Sequence, residues 1–142
     1  MLTFTPFQAA HLAAIKLQGA QGYLSDWVTY EQAAALVEHH SSTAITDDGE
    51  PVAAAGIIPM WQGRSMVWAF LSDLGPANFM RVHREVKRFL DGCYTQRIEM
   101  TVDCDHKEAH RWARMLGFKL EATRMRAYAP DGQDCALYAR VL

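Results

Sequence analysis

A switch of hydrophobic period between Arg97 and Phe118 constrains this chain more than any other feature. Residues 97–103 alternate strictly, with Ile98, Met100 and Val102 on one face and charged or hydroxylated side chains on the other, the pattern of a half-buried strand. Ala109, Trp112, Ala113 and Leu116 then recur at the spacing of one apolar helical stripe, with Lys107, Arg111 and Arg114 outward. Gly117 stands where that helix needs a left-handed terminal residue. Residues 119–128 and 134–141 read as two strands joined by the turn Ala129-Pro130-Asp131-Gly132. A strand, a helix and an antiparallel hairpin in this order form the closing half of an α+β sheet.

The rest of the chain supplies the opening half. Residues 2–4 read as a first strand closed by Pro6, and 7–17 as a helix burying Leu12 and Ile15, ended by Gly19 and Gly22. Residues 30–40 read as a second helix, with Thr29 and Gln32 as its capping box. A meander follows over residues 43–46, 51–59 and 65–71. The run Met66-Val67-Trp68-Ala69-Phe70-Leu71 is apolar on both faces and belongs in the middle of the sheet. A long helix then begins near Pro76, buries Phe79, Val82, Val86, Phe89 and Leu90, and stops at Gly92. The order is β-α-α-β-β-β-α-β-α-β-β, a single domain over residues 1–142, and half of its residues are apolar, enough for one core without staples.

A net charge of −2 gives no overall reason to bind nucleic acid or an anionic membrane. Cys93, Cys104 and Cys135 are odd in number and lack CxxC spacing, which favours reduced thiols in a cytoplasmic setting. No run approaches the roughly 18 apolar residues of a membrane span.

The element order, and above all the last third, resembles the GNAT superfamily of acyl-CoA N-acyltransferases. That family's helix after the fifth strand commonly reads Asn-x-x-Ala-x-x-x-Tyr-x-x-x-Gly-Phe; Ala109, Gly117 and Phe118 fall at matching places, and residues 121–126 and 134–140 look like its closing hairpin. The resemblance implies a mixed, mostly antiparallel sheet flanked by helices, with acetyl-CoA as acyl donor and an amine of a small molecule or protein as acceptor. It places Phe70, Leu71 and Ser72 along the pantetheine arm. Gly75, Asn78, Phe79, Met80 and Arg81 fall around the pyrophosphate, and His106 stands at the motif's asparagine position. Glu99 or Asp103 would serve as base, Tyr138, or Tyr128, as the acid that protonates the thiolate, and Tyr23 and Trp27 would line the acceptor pocket. A narrower resemblance runs to small proteins of T7-type phages related to internal virion protein A. It implies a bacterial or phage-infected host cytoplasm, or the virion, and virion proteins or a second copy as partners.

Two departures from the family pattern keep a second reading open. The loop Asp73-Leu74-Gly75-Pro76-Ala77-Asn78-Phe79 holds one glycine and an acid where the family carries a glycine-rich phosphate loop, and Ala113 replaces the motif's tyrosine. The alternative is therefore a non-catalytic GNAT-fold virion-associated or interaction protein with a degenerate cofactor site. Other constellations have plainer readings. His106 and His110 are spaced for a metal but lack the remaining ligands, so a surface pair accounts for them. His39 and His40 suit the negative end of the second helix. Arg81, Arg84, Lys87 and Arg88 form a solvated helix face, from which Arg81 or Arg84 could meet a CoA phosphate or nucleic acid. Glu99 and Asp103 could equally pair with surface cations, and Tyr23 and Trp27 could belong to the core.

Overall fold

The strand that is apolar on both faces takes the centre of the sheet. A computed structural model describes residues 1–17, 35–36 and 40–142, and in it β4 (Arg64–Leu71) is the fourth of seven strands ordered β1-β2-β3-β4-β5-β7-β6. The others are β1 (Thr3–Pro6), β2 (Ser41–Ile45), β3 (Pro51–Trp61), β5 (Arg97–Asp103), β6 (Lys119–Met125) and β7 (Cys135–Val141). The helices are α1 (Ala9–Ala14), α2 (Gly75–Asp91) and α3 (Lys107–Met115). Every strand pair is antiparallel except β4 with β5. This is the mixed, mostly antiparallel sheet that the element order predicts.

Helices α2 and α3 cover one face, where Val82, Leu90, Trp112, Ala113 and Leu116 pack with Leu71, Ile98, Val102, Ala136 and Tyr138. The other face carries a smaller core of Phe7, Ile15 and Ala54, with Trp68 and Leu12 against it. The helix read over residues 7–17 is confined to Ala9–Ala14, and Phe7 lies ahead of it as an anchor 1% exposed, its ring 5.1 Å from that of Trp68. The residues predicted for the second helix and its entry loop, including Gly19, Gly22, Tyr23, Trp27, Thr29, Gln32 and His39, lie outside the described residues.

Helix α3 ends as its sequence requires. Gly117 has φ +88°, its N–H donates to the Arg114 carbonyl and that of Phe118 to the Ala113 carbonyl, the paired bonds that close a helix through a left-handed residue. Gly92 ends α2 differently, at φ −87°, so its value there is not a left-handed turn. β6 stops at Met125, short of the expected residue 128, because Ala127 adopts φ 51° and its N–H turns to the Asp134 carboxylate at 2.8 Å.

A close approach fixes Gly56. The Trp68 indole lies across it, so that a Cβ there would sit 2.7 Å from the ring and 2.8 Å from the Ser41 Cβ. Neither neighbour is the loose end of a side chain. Gly56→Ala is expected to cost about 1–3 kcal/mol by overpacking, read as a lowered urea midpoint at unchanged m-value.

Candidate functional site

The parallel pair in the centre of the sheet is incomplete. β4 and β5 are in register only at Arg64 with Arg97, Ser65 with Ile98 and Met66 with Glu99. Beyond that point β4 keeps its pairing with β3 as far as Leu71, and β5 keeps its pairing with β7 as far as Asp103. Each strand is held by its outer neighbour while the inner edges part, so the opening belongs to the sheet and is not a frayed end.

An ion-pair network holds the closed end. Glu99, 4% exposed, accepts from Arg64 Nε and Nη2 at 2.8 Å each and from Arg97 Nε, and Arg97 donates its other nitrogens to Glu121. The Arg64 guanidinium, with Arg97 beside it, pulls the Glu99 carboxyl from 4.5 down to about 2. A carboxylate so engaged does not accept a proton from an ammonium near neutral pH. The role of base proposed for Glu99 thus gives way to a structural one.

The open end leads into a cavity of about 1060 Å³. Its described lining includes Phe70, Leu71, Ser72, Gly75, Phe79, Met80, Asp103 and His106, so the structure brings these eight sequence candidates together. Asp103 is the last residue of β5, and its Oδ1 accepts the Asp105 N–H at 2.8 Å. His106 is the N-cap position of α3.

Four candidates are placed elsewhere. Tyr138 is 1% exposed; its hydroxyl pairs with His110 Nδ1 at 2.8 Å and accepts from Arg114 at 3.3 Å, which ties it to α3 rather than to the gap. His110 Nε2 meets the Cys104 carbonyl at 3.0 Å, so both ring nitrogens serve the fold and do not converge with His106. Arg81 donates to the Leu2 carbonyl and lies 5.7 Å over the Phe4 ring, turned away from the start of α2. Asn78 is half-buried and outside the cavity lining. Tyr23 and Trp27 lie outside the described residues.

The start of α2 also shifts the expected donors. Because Gly75 is its first residue, the N–H groups of Asn78, Phe79 and Met80 fall within the helix's own bonding, and the first-turn donors without a partner inside the helix are those of Gly75 and Ala77; Pro76 has none. Gly75 reaches this position at φ +74°, and Leu74 before it gives no side-chain cap. Ser72, expected along a pantetheine arm, already directs both its N–H and its hydroxyl to the Val52 carbonyl, at 2.9 and 2.8 Å.

One contact that sequence reasoning missed braces the site. Trp112 Nε1 donates to His83 Nδ1 at 3.1 Å, and Phe79 stands edge-on to Trp112 at 5.5 Å, joining the two helices that flank the gap. Burial, with help from Lys87 and Arg84, lowers the His83 pKa, so the imidazole stays neutral and keeps a lone pair for the indole. The i, i+3 relation of Phe79 and Val82 signals a buried stripe, but nothing local marks His83 as a partner for α3.

The same architecture occurs in solved acetyltransferases. A protein described as a candidate phosphinothricin N-acetyltransferase superposes with a TM-score of 0.77 at 15% identity, over 100% of this chain and 99% of the other. A GNAT superfamily phosphinothricin acetyltransferase from Sinorhizobium meliloti, in complex with AcCoA, gives 0.67 at 18% identity over 99% and 88%. A GNAT family acetyltransferase from Streptococcus pneumoniae gives 0.73 at 13% identity over 100% of both chains. These structures lend no support to the narrower phage resemblance. No protein-family model matches the chain, and no curated protein sequence does. At such identities the likeness is one of fold, and the fold is that of the GNAT acetyltransferases.

Proposed function

Starting from a fold shared with acetyltransferases, we propose that this chain transfers an acetyl group from a pantetheine thioester, acetyl-CoA in the first instance, to an amine of a small molecule or protein. The observation that carries this reading is the parting of β4 and β5 after Met66 and Glu99, which opens a cavity beside the start of α2. The arm of a thioester is long, narrow and mostly apolar, and the alanine, valine, leucine and phenylalanine side chains lining that cavity suit it. Asp103 stands at the mouth as the carboxylate that takes a proton from the incoming ammonium. The freed amine attacks the thioester carbon, the N–C bond forms, the C–S bond breaks, and the thiolate leaves with a proton delivered by water. Holding the two reactants in one cleft supplies most of the rate advantage.

No helix among the described residues is long and apolar enough to cross a membrane. The competing reading, a GNAT fold without turnover, draws on Asp73 in the loop, Ala113 in place of the motif's tyrosine and the committed donors of Ser72. A thermal-shift titration with acetyl-CoA separates the two. A ligand at a hundred times its dissociation constant stabilises by about 2.7 kcal/mol, and release of free thiol on adding a panel of amines would establish transfer. The absence of both a shift and thiol release at millimolar donor rejects the transferase reading.

A further inference from the structure

We propose that the chain recognises its donor through the pantetheine arm alone, so that a pantetheine thioester lacking the nucleotide binds at least as well as acetyl-CoA. The inference rests on the transferase reading and narrows its donor. It comes from the charges around the cavity. Asp73, Glu85, Asp103 and Glu108 line it against Arg88 and Arg111, and Arg88 is spent on Glu85 at 2.7 Å. The charge of the lining is net negative, a poor match for the diphosphate and 3′-phosphate of a nucleotide.

The other described lysines and arginines do not line the cavity. All fourteen lysines and arginines fall within the described residues; residues 18–34 and 37–39 contribute only Asp26, Glu31 and Glu38 to the charge. Arg81 is held by the Leu2 carbonyl and the Phe4 ring, and Lys87 by Asp91 at 2.8 Å. Arg64 and Arg97 close the opposite end of the sheet on Glu99, Arg124 pairs with Asp134, and Arg140 with Asp91. Pro76 deletes one main-chain donor from the first turn of α2, and Asp73 stands two residues before that turn. The lining by contrast includes the apolar side chains of Val67, Leu71, Met100, Val102 and Ala109. The cavity is matched to the amide-and-methylene arm and mismatched to the phosphates.

Calorimetric titration of S-acetyl-pantetheine and acetyl-CoA, each at about 0.01 M and about 0.15 M ionic strength, tests this. The expected result is a dissociation constant for S-acetyl-pantetheine equal to or below that of acetyl-CoA at low salt, with acetyl-CoA binding tightening as salt screens the repulsion. Asp73→Asn should tighten acetyl-CoA roughly threefold and leave S-acetyl-pantetheine unchanged. Tighter binding of acetyl-CoA at low salt, weakening as salt rises, overturns the inference and leaves the transferase reading standing. So does a tenfold loss of acetyl-CoA affinity in Arg111→Gln that spares S-acetyl-pantetheine. Failure of both donors to bind rejects the transferase reading, and the inference falls with it.

Discussion

Glu99→Ala is expected to destabilise the fold by about 3 kcal/mol, because it removes the one carboxylate shared by Arg64 and Arg97. The loss of attraction is the smaller part. Both guanidiniums remain at the closed end of the β4–β5 pair, where each raises the cost of the other's charge. Their side chains are 28% and 30% exposed, so water relieves part of the repulsion, and the figure sits at the low end for a broken buried pair. The same network predicts an acid transition. The Glu99 carboxyl is held at about 2 against 4.5, so its contribution is complete above pH 4.5 and is lost as pH falls from there toward 2. Urea unfolding of the wild type should therefore weaken over that window by about 2–3 kcal/mol more than unfolding of Glu99→Gln. Equal acid slopes in the two proteins would show that Glu99 titrates normally and that its arginines contribute nothing.

Glu99 marks the limit of what alternation along a strand conveys. Alternation over Arg97–Asp103 gives the strand to the residue and assigns Glu99 and Asp103 to the face away from Ile98 and Val102. Period two is local, so it survives into the structure. Which end of the strand opens is not local. It depends on the register of β5 against β4, whose partner Arg64 lies 35 residues earlier, and on the outer pairings that hold each strand past their last shared pair. The same division explains the rest. The stop at Gly117 is written in one residue's backbone freedom, whereas the directions of Arg81 and Tyr138 are set by Leu2, Phe4, His110 and Arg114, none adjacent in sequence. The reading of 7–17 exceeds α1 because Leu12 and Ile15 are apolar at helical spacing, yet Ile15 lies past the last helical residue, in a small core with Phe7 and Ala54. The long helix and the apolar strand β4 were legible because their patterns run for several turns or residues without needing a partner to be named.

Asp103→Asn is expected to lower kcat by about 10²- to 10³-fold while leaving the dissociation constant of S-acetyl-pantetheine, a donor without phosphates, unchanged. The variant preserves shape: an asparagine carbonyl can still accept the Asp105 N–H that holds the side chain, now bonded to Oδ1 at 2.8 Å. It removes the negative charge and the site for the amine's proton. Of the two β5 carboxylates, Asp103 alone lines the cavity and lies beyond the last β4–β5 register pair; Glu99 is at the closed end, held by two arginines. An acceptor amine arriving as an ammonium must lose a proton before it can attack, and in Asp103→Asn that proton passes to bulk water with no preorganised carboxylate to draw the cation in. The effect should therefore appear in kcat and in the acceptor's KM, with calorimetric S-acetyl-pantetheine binding as the control and thermal unfolding within about 0.5 kcal/mol of the wild type as evidence of an intact fold. A kcat within about twofold of the wild type would assign the proton to water alone and leave Asp103 as no more than the turn that leads β5 into α3.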